Sequence, residues 1–293
     1  MAREGTDAHY LHERHGLEAV LRPPVAYPTA LKWVPKREQL IVSTRDGQLT
    51  SVDPILGTRI VAQDVGEAAV LDIHEDRKRY LIVARNGTWR VGELGGDVLH
   101  HGRHSFFGNI DAFFLGEYVV MLGDGADRRL LMVLNGTDVR ARVRLPANVI
   151  AVPSGKKLML ARSTQAGLEL VKFGKNAHFS KIPPTAHRLM RANDRVLGLT
   201  STGLAVWTHQ GGAPRSMRMP ELTAGDVSAD GRLVGLGTRH GAVALAHLDH
   251  VDKRVHPDLV KAFNHPVTGV AFSTRGRWLA TGGDRLQIWT WEE

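Results

Sequence analysis

The 293-residue chain contains no cysteine. Disulfides, thiolate nucleophiles and cysteine-held zinc are thereby excluded together. The absence also fits a reducing compartment. No window approaches the roughly 18 uncharged apolar residues that a membrane-spanning helix requires. Met1–Val20 scatters charge and histidine where a secretory signal would carry an apolar stretch, so the expectation is a cytoplasmic protein. Aromatic residues are sparse at 6%, which leaves little for stacking nucleic-acid bases. The phosphate-cradling Gly-x-x-x-x-Gly-Lys and the paired carboxylates of glycosidases are missing as well. Asp124–Asp127 is too short for a calcium loop, because the twelfth-position acid is absent.

What the chain does have is punctuation and positive charge. Thirty-one glycines and 13 prolines suit many short elements, and 38 basic against 30 acidic residues leave a net charge of +8. That balance favours acidic partners through the long-range field, or reflects composition alone. The last thirty residues set the pattern. Two short apolar runs flank the turn at Thr274–Arg277, a third follows Gly283–Arg285, and no helical stripe is present. This is the signature of a β-meander.

In His265–Trp291 the order is His, Val-x-Phe-Ser, Gly-x-x-Leu-Ala-Thr-Gly, Asp and Ile-Trp. That order resembles a blade of the WD-repeat β-propeller superfamily. Weaker copies of its second strand begin at Leu40, Leu81, Val119, Leu158, Val196 and Leu233, ahead of Leu279. The intervals are 41, 38, 39, 38, 37 and 46 residues, against about 40–45 for a four-stranded blade. The longest interval holds the charged insertion Asp249–Lys261. The expected fold is all-β, a single seven-bladed WD-repeat-like propeller over residues 16–293, with Met1–His15 as a tail. The final repeat ends after three strands, and an open edge would invite aggregation. Gly16–Arg22 is expected to supply the fourth strand and close the ring.

The resemblance implies that His265, Thr281, Asp284 and Trp289 form a structural tetrad that locks the blade. A catalytic triad is the competing reading of the first three, but the tryptophan and the meander account for all of them. The turns between second and third strands open on one rim, the top face on which partners of the family dock. They read Arg45-Asp-Gly, Arg85-Asn-Gly, Asp124–Arg129 with Arg128 and Arg129, Arg162-Ser-Thr, Ser201-Thr-Gly, Arg239-His-Gly and Asp284-Arg285. Six of the seven carry arginine. Folding should gather these into a basic rim, either a docking face for carboxylates or phosphates or a solvated surface.

Alignment of the innermost strands on Ala271 brings Lys32, Asp72, Asp111, Ile150, Arg188 and Asp226 toward the axis. Buried charges need partners, so inter-blade pairs Lys32–Asp72 and Arg188–Asp226 are expected. An ion or ligand site in the central channel is the alternative. His9, His12 and His15, and His100, His101 and His104 in a Leu99–Ser105 linker, have metal-ligating chemistry, but the first cluster falls in the expected tail and the second has no carboxylate close by. No metal or cofactor is therefore expected. The favoured function is a non-enzymatic scaffold, monomeric on its own, that binds an acidic protein partner as part of a multi-protein assembly. Nucleic-acid binding through the same rim is a second reading. A lactonase-like hydrolase with a metal in the channel is a third.

Overall fold

The second-strand runs are apolar at nearly every position, so they can be stable only where both faces are covered. In the computed structural model Leu40–Thr44, Leu233–Thr238 and Leu279–Gly282 are buried throughout, and each lies in the middle of a four-stranded antiparallel sheet. Residues 12–13, 16–124, 129–145, 149–154, 157–164, 167–172, 175–178, 188–192, 195–200, 202–208, 215–219, 221–251, 256–257 and 259–291 are described.

The repeats predict seven blades, and the structure corrects that count: six blades are complete in themselves. They occupy residues 28–62, 68–103, 107–145, 149–178, 188–218 and 222–261, each a four-stranded sheet built from one continuous stretch of chain. The last repeat is not a seventh of the same kind. Among the described residues it contributes three strands, Gly269–Phe272, Leu279–Gly282 and Leu286–Thr290. Its sheet reaches four strands by taking Glu18–Leu21 from the other end of the chain, a composite that we call the closing sheet. Glu18 pairs with Thr290, Ala19 with Trp289 and Leu21 with Ile288. The paired segment is shorter than Gly16–Arg22. Within residues 1–15, His12–Glu13 pairs in parallel with His256–Pro257, and the rest lies outside the described residues.

First strands of neighbouring sheets touch in an unbroken circuit, which makes them the innermost layer around an axis. Apolar clusters fill the seams between sheets. One joins Leu81, Trp89 and Val91 of blade 2 to Met121 and Met132 of blade 3, and another joins Leu40 and Val42 of blade 1 to Ala280 and Ile288 of the closing sheet. Each fully buried leucine or isoleucine contributes roughly 1.5–3 kcal/mol. The seam between closing sheet and blade 1 is also bonded directly. The Trp33 indole N–H donates to the Ala271 carbonyl at 3.0 Å, and the Thr268 hydroxyl to the Pro28 carbonyl at 2.6 Å.

Blades 1, 2, 6 and the closing sheet share one connection between first and second strands. Its backbone N–H, at Val34, His74, Ser228 or Ser273, donates to the carbonyl five residues on. In blades 3 to 5 only two residues separate the paired strand ends, as in Leu115↔Tyr118, Ser154↔Lys157 and Ala192↔Arg195.

Candidate docking face

The turns after the second strands are built alike. The backbone N–H of Arg45 donates to the Tyr27 carbonyl at 3.0 Å, that of Arg85 to Glu67 at 3.0 Å, and that of Arg239 to Glu221 at 2.8 Å. In each case the acceptor belongs to the segment entering the same blade. Two residues after the arginine stands a glycine with positive φ: Gly47, Gly87 and Gly241. Gly241 shows why. A Cβ there would meet the Phe263 carbonyl oxygen at 2.3 Å, and φ is +77°. The turn is thus locked against the inter-blade segment, and the arginine side chain is turned outward.

Four sequence-predicted rim residues meet on adjacent sheets. Arg45, Arg85, Arg239 and Arg285 are all exposed and sit at the corresponding ends of blades 1, 2 and 6 and the closing sheet. The Arg45 guanidinium lies 5.0 Å over the Tyr27 ring. Arg85 Nε is 3.3 Å from Glu67 Oε1. Arg285 donates to the Ala262 carbonyl at 3.1 Å and lies 6.0 Å over Phe263. Beside Arg239, His240 Nε2 is 2.7 Å from Glu221 Oε2. The arc is basic but interleaved with acids, and its one large exposed ring is Tyr27, 47% accessible and held at φ +47°.

Of the remaining predicted rim residues, Arg129 does not join the arc. Arg129 is only 5% exposed, because it opens the strand Arg129–Asn135 and turns inward to Asp124 at 3.2 Å and Asp111 at 3.9 Å. Arg162 falls inside the strand Lys157–Thr164, opposite Val149 and Glu169, rather than in a turn. Arg128 lies outside the described residues. Sequence reasoning missed Tyr27, Glu67 and Glu221. The available signal was a constant offset, since each stands eighteen residues before its turn arginine.

The closing sheet realises part of the predicted tetrad. Trp289 Nε1–H donates to Thr281 Oγ1 at 2.7 Å in the interior. The His265 side chain is exposed and bonds neither Thr281 nor Asp284, and Asp284 Oδ1 is buried without a hydrogen-bond partner. Trp207 of blade 5 also buries its indole N–H unpartnered. The place corresponding to Thr281, diagonal to the tryptophan across the strand pair, is Gly198, which has no hydroxyl to accept.

At the axis, Lys32 Nζ is 3.0 Å from Asp72 Oδ1, the expected inter-blade pair. Asp72 Oδ2 accepts the Phe114 N–H at 2.9 Å, and Asp226 Oδ2 accepts the Phe272 N–H at 2.8 Å. Each aspartate therefore clasps the innermost strand of the next sheet. Arg188 acts on Asp226 and Asp111 through its field, without a direct contact. The Asp72 carboxylate raises the Lys32 pKa against the opposing effect of burial, and Asp226 adds to the rise. Burial pushes Asp226 up, opposed by the Phe272 N–H and by Lys32. Burial raises Asp111 too, against the pull of Arg129 and Arg188. Asp111 pairs with Leu122, deeper in its strand than Lys32, Asp72 and Asp226, because blade 3 has the tighter hairpin.

Among the described residues no three histidines or carboxylates are placed to hold a metal ion. His100 and His101 lie within the strand Val98–Arg103, not a linker, so successive side chains face opposite sides. His104 stacks on Phe106 at 4.5 Å, and burial lowers its pKa. His9 and His15 lie outside the described residues, and nothing beyond backbone pairing is described for His12. No helix among the described residues is long and apolar enough to cross a membrane.

No protein-family model matches the chain, and no curated protein does. Solved structures do. The WD40 β-propeller domain of Doa1 superposes with a TM-score of 0.75 at 13% identity, covering 95% of this chain and 98% of that one. The β-propeller domain of Cps50 (Swd1) from Myceliophteria thermophila gives 0.74 at 13% identity, with 94% and 99% covered. The C-terminal WD40 domain of Sif2 gives 0.69 at 11% identity, again with 94% and 99% covered. At such identities the likeness is one of fold: the chain has the architecture of WD40 β-propeller domains.

Proposed function

We propose that this propeller is a non-enzymatic interaction module that docks an acidic protein surface on the arc Arg239, Arg285, Arg45 and Arg85, with Tyr27 as its anchor. The observation that carries the reading is Tyr27 itself. A bulky residue at φ +47° is a genuine outlier, and here it places a half-exposed ring under the Arg45 guanidinium at the seam of the closed ring. Strained backbone concentrates where a surface is used, and tyrosine and arginine dominate the energetics of protein interfaces. The fold shared with WD40 domains supports a scaffold by analogy.

The acids argue against a nucleic-acid backbone as the partner of this arc. Glu67 and Glu221 already occupy Arg85 and His240, and would face a phosphate chain unfavourably. A protein surface can instead match a mixed pattern, with basic anchors meeting carboxylates and the rim acids left wet. The combined substitution Tyr27→Ala, Arg45→Ala and Arg239→Ala tests the reading. It should abolish capture of the native partner from source extract while leaving the melting temperature within about 3 °C. Undiminished capture by the folded variant would defeat the proposal.

A further inference from the structure

A second charged surface lies on the outermost strand of blade 3, built from residues that the arc does not use. Asp138–Leu145 is the outermost strand there, paired only with Arg129–Asn135 among the described residues. Its other edge presents unpaired backbone groups, which makes it a template for a further strand. Arg140, Arg142 and Arg144 alternate along it, and all three are exposed. Arg142 stands opposite Met132 and Arg144 opposite Leu130. Both of those residues pack into the seam with blade 2, so these arginines line the outer mouth of that seam. The irregularity between Val133 and Leu134 makes Arg140 the extra residue of the pairing and leaves it on the same face.

Among the described residues, Arg140 has an acidic neighbour in the highly exposed Asp138 at 3.7 Å, and no carboxylate pairs with Arg142 or Arg144. Edge strands are often blunted by charge, yet three like charges on one face of one strand repel each other. Alternate residues of a strand recur at about 6.8 Å, which is also the repeat of alternate side chains on any strand laid beside it. We infer that this edge accepts an extended acidic peptide as a fifth strand of blade 3, with every second peptide residue a carboxylate facing Arg140, Arg142 or Arg144. Backbone bonds would supply affinity and the arginine row the register. No aromatic ring alternates with the arginines, so the row lacks the stacking platform that a single-stranded nucleic acid uses.

The test uses the full chain and a fluorescein-labelled peptide of about eight residues, a typical strand length, alternating Glu and Val. Three competitors accompany it: the same composition with the glutamates in one block, the alternating peptide with alternate amides N-methylated, and a single-stranded oligodeoxynucleotide. The alternating peptide should bind at least about tenfold more tightly than either peptide control, a difference readable by anisotropy. The double substitution R142E and R144E should weaken it by a further factor of about ten or more, and an alternating Lys and Val peptide should recover binding to that variant. Should the double variant unfold, Arg142→Gln alone carries the same comparison. Equal affinity for the blocked or N-methylated peptide overturns the added strand in favour of diffuse charge attraction. Tighter binding of the oligonucleotide overturns the peptide as occupant.

Discussion

Tyr27 is one of five non-glycine residues with positive φ among the described residues, and the others show what such positions cost. Arg77, at φ +64°, occupies the place that Gly231 and Gly276 fill in equivalent connections. In all three the N–H at this place donates to the carbonyl three residues earlier, that of His74, Ser228 or Ser273. A left-handed conformation costs an L-residue about 1–2 kcal/mol, partly offset because glycine loses more entropy on folding. Arg77→Gly should therefore stabilise the protein by about 0.5–1 kcal/mol and raise the melting temperature by about 1–3 °C. A fall in melting temperature would show that the arginine side chain contributes more than its backbone costs. The converse holds at Gly241, where the Cβ of Gly241→Ala would strike the Phe263 carbonyl. That substitution should cost about 2–3 kcal/mol, measurable by denaturant unfolding.

Between elements, clasps across the seams hold neighbouring sheets together. Lys32 and Asp72 join blades 1 and 2 at the axis. Because the Lys32 pKa is raised by folding, its contribution is fully present below about 10.5, the unfolded value, and is lost as pH rises through the higher folded value. Lys32→Met should cost about 1–2 kcal/mol at neutral pH, given that the lysine remains half accessible. The gap between the two melting curves should stay constant to about pH 10 and close above it. A gap that widened with pH would contradict the pairing. The same scale explains what could be read in advance. The last repeat alone showed the pattern in full; blades 1, 2 and 6 share its longer connection, whereas the short hairpins of blades 3 to 5 shift the register. Arg129 looked like a rim residue because charge at a turn is usually solvated, yet Asp124 and Asp111 draw it inward. Tyr27 was illegible because its role depends on a turn that folds back from the far side of two strands.

For the whole molecule, closure by the two chain ends is the controlling feature. Six blades hold their own strands, and the closing sheet depends on Glu18–Leu21 lying against Leu286–Thr290. Removing residues 1–22 should bare that edge, lower the melting temperature by roughly 10 °C and cause concentration-dependent association, seen by light scattering. A truncated chain that stayed monomeric with an unchanged melting temperature would contradict the closure. Closure also brings Tyr27 against the Asp284 carbonyl and so assembles the proposed docking arc from both termini.

The most direct test of that arc is site-specific photocrosslinking in the native host. A benzophenone side chain would be placed at Tyr27, at Arg239 and, on the opposite rim, at the fully solvated Ile55, which is 90% exposed. A shared protein adduct is expected from positions 27 and 239 and none from 55. An adduct from position 55 alone would contradict the proposed arc.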